Sequence, residues 1–190
     1  MKLPFQGRRA EDLPARIATA MRGVDGGRLL SAAPDADSQA WLVASQYVLT
    51  LVDPGRGSQG TAGTAGTEAL VWSRPWHDVD AGSWSRESAM LTVTWVDRSR
   101  PGQWRLGDSE REGRFLATLR ERVQATVVLA EELNLSGRRT GRAVIRQDLR
   151  TRELVEQVVL GRGVTADDEV SAASARALDW LREQVGLPRI

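Results

Sequence analysis

From Gly27 to Gly107 the apolar residues return at every second position, in one short segment after another. Alternation of that kind places successive side chains on opposite faces of a strand. Seven segments carry it: "GRLLSAA", "AWLVAS", "YVLTLVD", "TEALVWS", "HDVDAGSWS", "AMLTVTWVD" and "QWRLG". Between them stand turn-forming clusters such as "PDADS", Asp53-Pro54-Gly55 and "RSRPG", which interrupt a ladder and reverse the chain. "AMLTVTWVD" is the clearest strand, with Leu91, Val93 and Trp95 on one face and Thr92 and Thr94 on the other. The glycine of "HDVDAGSWS" permits a bulge or bend.

Helical spacing brackets this β region. "DLPARIATAMR", residues 12–22, sets Leu13, Ile17 and Met21 on one face, with Asp12 as N-cap, Pro14 in the first turn and Gly23 as the stop. A longer helix is expected over 109–134. Ser109 and Glu112 form a capping box, and Phe115, Leu116, Leu119, Val123, Val127, Ala130 and Leu133 make its apolar stripe. Beyond Gly137, "AVIRQDL" and "LVEQVVL" read as a hairpin turning at Arg150 to Arg152. "TADDEVSAASARALDWLREQVG" reads as a final helix, with Thr165 and Asp168 set for its cap and Gly186-Leu187-Pro188 after its end. Three parts follow: residues 1–23 as an N-terminal segment with a short helix, 24–134 as a β domain closed by the long helix, and 135–190 as a ββα extension docked on it. About 55 residues of ββα hold too little core to stand alone.

Composition bounds the chemistry. With 190 residues and no cysteine, the chain needs no staple to bury a core, and thiolate metal sites, disulfides and cysteine nucleophiles are excluded. The net charge is +1, so no global field draws the chain to nucleic acid or membrane. Lys2 is the only lysine among 26 basic residues. That arginine excess runs along the whole chain, as codon bias in a G+C-rich genome would produce. The first residues lack the apolar core of a secretory signal, and no apolar run reaches the roughly 18 residues a bilayer requires. A soluble, cytoplasmic protein is expected.

The segments "RLLSAA", "AWLVASQYVLTLVD", "RPWHDV" and "SAMLTVTW", then a short strand and a helix such as "GRFLATLRERV", resemble the pleckstrin-homology-like (PH/GRAM-like) domain of bacterial proteins. Trp76, Asp78 and Val79 match the tryptophan and aspartate-valine pair that opens a middle strand in such domains. The resemblance covers roughly residues 24–134. It implies an α+β fold: a seven-stranded antiparallel barrel or sandwich of two near-orthogonal sheets, capped at one end by the amphipathic helix. It implies no activity, because one fold carries many functions.

Three local features compete for function. His77, the only histidine, stands beside Asp78 and Asp80. One histidine with carboxylates is a poor zinc set, no G-x-S-x-G elbow is present, and strand alternation would point Asp78 away from His77. The reading taken is an edge or loop histidine with aspartates in the following turn. Five of seven tryptophans, Trp72, Trp76, Trp84, Trp95 and Trp104, lie within 33 residues and read as core, against the rival of an exposed aromatic groove. The glycine-rich "GRGSQGTAGTAG" lacks the Walker pattern and leads into no helix, so it reads as a flexible loop rather than a phosphate cradle.

The strongest charge signal is Arg138, Arg139, Arg142, Arg146, Arg150 and Arg152, within fifteen residues that hold one acid, Asp148. It is the candidate partner-binding patch, against the alternative that its arginines pair with acids on the helices. The expected role is a non-enzymatic cytoplasmic interaction or scaffold module whose partner is a protein, with no catalytic residue, metal or cofactor. The alternatives are a small-molecule or anionic-lipid sensor, and a nucleic-acid-associated protein using the arginine patch. Phosphoinositide binding is not expected: the loop at 34–38 carries Asp35 and Asp37 and no basic residue, where a headgroup site needs charge-assisted donors. Nor is nucleic-acid binding, since the patch has no aromatic residue for stacking.

Overall fold

A computed structural model describes residues 13–55 and 69–187. The chain is α+β, with ten antiparallel strands in three sheets and three helices among those residues. The seven expected strands all form: β1 (Leu29–Pro34), β2 (Trp41–Ser45), β3 (Val48–Val52), β4 (Leu70–Pro75), β5 (Val79–Ser85), β6 (Met90–Trp95) and β7 (Gly102–Arg105). They divide into a four-stranded sheet in the order β1-β2-β3-β4 and a three-stranded sheet in the order β5-β6-β7. Among the described residues these sheets stay open and close no barrel. The glycine-rich segment and Asp12 lie outside the described residues.

Two compact units organise the contacts. The first takes the described residues up to Arg74 with Trp84–Leu91 and Gln103–Leu119; the second takes Pro75–Ser83, Thr92–Gly102 and the described residues from Arg120 onward. In the first, helix α1 (Ala15–Met21) begins after Pro14, which holds the N-cap position without a side-chain cap bond. Ile17 and Ala20 bury against Ala32, Val43 and Val52 of the four-stranded sheet. The hydroxyls of Thr50 and Ser73 lie 3.0 Å apart across β3 and β4. Trp72 and Trp104 pack with ring centres 6.1 Å apart and planes tilted by 59°.

Helix α2 spans Glu110–Thr126. Its capping box forms: the Glu112 carboxylate accepts from the Ser109 amide at 3.2 Å and from the Ser109 hydroxyl, and that hydroxyl accepts from the Arg111 amide at 3.2 Å. The expected helix over 109–134 is corrected at its far end. It stops at Thr126, and Val127–Glu132 form strand β8 with no intervening loop. Three β-branched residues in succession, Thr126-Val127-Val128, disfavour helix. The Thr126 hydroxyl bonds back to the Val123 carbonyl at 2.7 Å, a pattern that bends helices.

β8 therefore joins the expected hairpin, β9 (Gly141–Gln147) and β10 (Leu154–Leu160), in a sheet of order β10-β9-β8. Helix α3 (Asp168–Val185) covers one face of it, with Ala173, Ala177 and Leu181 against Leu133, Ala143 and Ile145. The cap of α3 is neither Thr165 nor Asp168 but Asp167, whose side chain accepts from the Val170 amide at 2.8 Å. Gly186 ends the helix at φ 73°, left-handed, where a side chain would be strained.

Alternation is cleanest in β6, where Leu91, Val93 and Trp95 are buried and Met90, Thr92 and Thr94 are half-buried. Trp76 and Trp104 are also buried, and Trp41, Trp72 and Trp84 half-buried. The core reading thus holds for Trp76, Trp95 and Trp104, while Trp72 and Trp84 are only partly covered. Trp95→Ala should lower stability by roughly 3–5 kcal/mol in urea unfolding; a neutral effect would reverse the faces of β6.

Glu112 supplies a pH test. Burial alone would raise its carboxyl, but hydrogen bonds, led by the Ser109 hydroxyl, hold it below the ordinary value. A lowered folded-state value stabilises above the unfolded value and loses that contribution as pH falls. The stability advantage over Glu112→Gln should be full near neutrality and shrink below about pH 4. An advantage that grew on acidification would contradict this.

Candidate functional site

The candidate residues lie in the second unit, on and around β9. This strand pairs over its whole length with β10, from Gln147–Leu154 to Gly141–Leu160, and with β8 from Arg146–Val127 to Arg142–Glu132. Strand periodicity sends Ala143 and Ile145 to the α3 face and Arg142, Val144 and Arg146 to the other. Both faces are covered, since Ala143 through Arg146 are all buried.

Arg146 is 2% exposed. Its Nη1 donates to the Val79 carbonyl at 2.8 Å and to the Thr126 hydroxyl at 3.0 Å. Burial pushes its guanidinium down in pKa; the Asp80 carboxylate opposes that shift, and the neighbouring charge of Arg142 adds to it. Arg142 pairs with Asp80, which also accepts from the Thr94 hydroxyl at 3.2 Å. Arg139, in the loop after β8, pairs with Asp167 and Glu169 at the start of α3. The hydrogen bond to Asp167 leads the causes that raise its guanidinium. The Val170 amide, then Arg139, hold the Asp167 carboxyl low. The Ser136 amide and hydroxyl do the same for Glu169.

The six arginines therefore occupy different settings. Arg146 lies inside the unit, beyond a partner's reach; Arg142 and Arg139 face acids; Arg138, Arg150 and Arg152 are exposed. Arg150 and Arg152 sit at the β9–β10 turn, where Asp148 Oδ1 accepts from the Arg150 amide at 2.6 Å and the Thr151 amide at 3.1 Å. Arg152 takes a left-handed φ of 68° there. The fifteen-residue run is not one basic face.

His77 lies in a 3-10 turn, Trp76–Asp78, rather than in a strand. Asp78 does not point away from it: the Asp78 carboxylate is 3.8 Å from His77 Nε2, and Asp148 is 3.7 Å from Nδ1. Both distances exceed hydrogen-bond length. Asp80 is engaged with Arg142 instead. Among the described residues no group of three or more histidines, aspartates or glutamates is arranged to hold a metal ion.

What the patterns in the sequence did not reveal is an apolar surface beside this sheet. Val127 at 42%, Val128 at 44% and Trp180 at 44% are the exposed large hydrophobic residues among those described. Val127 and Val128 open β8, which among the described residues is a sheet edge and pairs with β9 alone. Trp180 stands on α3 one turn after Arg176, on the same flank. Between strand and helix runs a groove. Ala173 and Ala177 contribute small side chains to it, Glu131, Glu132 and Asn134 line it from the strand side, and Arg176 and Trp180 from α3. The run "TVVL" was the available signal for the edge, and it was absorbed into the helical stripe.

Against protein-family models, curated proteins and solved structures, the chain finds no match. Among the described residues no helix is long and apolar enough to cross a membrane.

Arg146→Ala removes the donor from two buried acceptors and should cost roughly 3 kcal/mol. Arg138→Ala should stay within about 0.5 kcal/mol. Denaturant unfolding of the pair checks this; equal losses would place Arg146 at the surface.

Proposed function

We propose that this chain is a non-enzymatic protein-interaction module of the cytoplasm, and that its working surface is the β8 edge with the Trp180 flank of α3. One observation carries the reading: among the described residues β8 is an edge strand that opens on the exposed Val127 and Val128, and its far end borders the groove walled by the exposed Trp180. Scattered apolar residues on a surface need no explanation, whereas grouped ones beside free main-chain donors and acceptors mark a docking place. The arginines of β9 add no surface, because Arg142 pairs with Asp80 and Arg146 is buried.

A PH-like arrangement of the first seven strands belongs to the same proposal. Its support is the element order: a four-stranded sheet, a three-stranded sheet and then an amphipathic helix. Phosphoinositide recognition is not part of it. Asp37 pairs with Arg105 at 3.0 Å, and Asp35 accepts from the Arg105 amide at 3.0 Å, so the first interstrand loop offers acids already bound to β7.

Site-specific photo-crosslinking in cells tests the reading. A photoreactive residue at position 128 should give a discrete protein adduct, and the same residue at position 138 should not. Labelling at 138 alone, or adducts only to nucleic acid or lipid at 128, would reject it.

A further inference from the structure

We infer that β8 is a switch segment, a strand in the structure that can instead extend helix α2 from Thr126 to the neighbourhood of Gly137. Four of its six residues, Leu129, Ala130, Glu131 and Glu132, stand among the strongest helix formers, and alanine and glutamate are depleted in strands. The helical stripe also runs on without a break: Leu116, Leu119, Val123, Val127 and Ala130 follow one another three or four residues apart. Past the segment, Gly137 already holds the left-handed conformation, at φ 69° with open space about it, and that conformation is the common way to end a helix. Local preference and observed structure are at odds over one continuous stretch, a conflict that marks functional elements.

Little besides the main chain holds β8 as a strand. Among the described residues it pairs with β9 only, and that ladder is irregular between Val127 and Leu129. Five of its six side chains are exposed, and Leu129 is half-buried. No ion pair engages Glu131 or Glu132 among the described residues. The restraints lie at the two ends. Before β8, the buried Thr126 hydroxyl donates to the Val123 carbonyl at 2.7 Å and accepts from Arg146 at 3.0 Å. Both bonds are compatible with helix, since Thr126 is the last residue of α2. After β8, Leu133 is buried with Ala143 and Ile145, and its amide donates to the Gly141 carbonyl at 2.8 Å. The anchoring of Leu133, with the β-branched pair Val127-Val128 at the joint, keeps the strand as the major state.

Continuing the helix replaces the ladder from Val127–Arg146 to Glu132–Arg142 with bonds inside the segment's own chain, each reaching four residues back. Thr126 and Arg146 need not separate, so their junction is the hinge. β9 keeps β10 as its neighbour and gains a bare edge on the other side. Val127, Val128 and the strand-side lining of the groove, Glu131 and Glu132, all ride on the segment, so the helical state withdraws the surface assigned above. That regulatory consequence rests on the docking reading; the switch itself does not. An equilibrium of this kind, with a minor state of roughly 0.1–10%, answers to small changes in local preference.

Carbon-13 saturation-transfer NMR on the full chain detects such a minor state and reports its chemical shifts. Leu129–Glu132 should show one whose Cα shifts are helical, and β10 and α3 should show none. Val127→Ala combined with Val128→Ala exchanges two exposed side chains for the best helix former and should raise its population by at least about fivefold. Ala130→Thr, also at an exposed position, should lower it. A helical minor state seen only in the double-alanine variant supports the switch, with the strand more strongly favoured in the unmodified chain. No minor state in either protein overturns it. So does a minor state with random-coil shifts, which is local unfolding. If a photoreactive residue at 128 captures no protein while the helical minor state is present, the docking reading alone is lost.

Discussion

Arg146 places a guanidinium where water does not reach, and burying such a charge is costly unless hydrogen bonds offset the lost hydration. It bonds the Val79 carbonyl and the Thr126 hydroxyl. The first lies where the chain enters β5, the second on the last residue of α2. These points, 67 and 20 residues away in sequence, are tied to the same side chain of β9. Shifting β9 by one residue would turn Arg146 to the α3 face, among Leu133, Ala177 and Leu181, and strand the charge in hydrocarbon. The guanidinium therefore acts as a register lock for the second unit.

That lock bears on why a helix becomes a strand without a turn. The stripe from Phe115 through Leu133 satisfies helical spacing, and spacing alone extends the helix to residue 134. Over Val127–Glu132 the competing arrangement is a ladder with β9, from Val127–Arg146 to Glu132–Arg142. A β-branched run has little helical preference to resist it. Periodicity is a local signal, and here a pairing partner beyond the next turn overrides it.

The same distinction separates what was legible from what was not. Seven strands and the face assignment of β6 followed from alternation, and the capping box of Ser109 and Glu112 from four residues. The fate of the arginines could not be read that way. Arg142 meets Asp80 at a separation of 62 residues, and Arg139 meets Asp167 at 28. A net charge counted over fifteen consecutive residues sums groups that tertiary structure sends to separate places. His77 and Asp78 failed for a smaller reason, since three residues of 3-10 turn replaced the strand on which their opposition depended. Trp180 carried no pattern of its own, being adjacent to the buried line of Ala173, Ala177 and Leu181 rather than on it.

One consequence ties the interior of the second unit to its surface. Its central strand carries the charge, and its edge strand carries the valines. A central strand can hold arginine here because the elements covering its face away from α3 supply acceptors, as Asp80, Val79 and Thr126 do. An edge strand has one neighbour, so side chains that a second strand would cover remain in water. The register that satisfies Arg146 also sets Val127 beside it and places the irregularity at Val128. Exposure of Val127 and Val128 is then the surface counterpart of the buried guanidinium. A residue change that released the lock would remove this restraint on the pairing of β8 with β9.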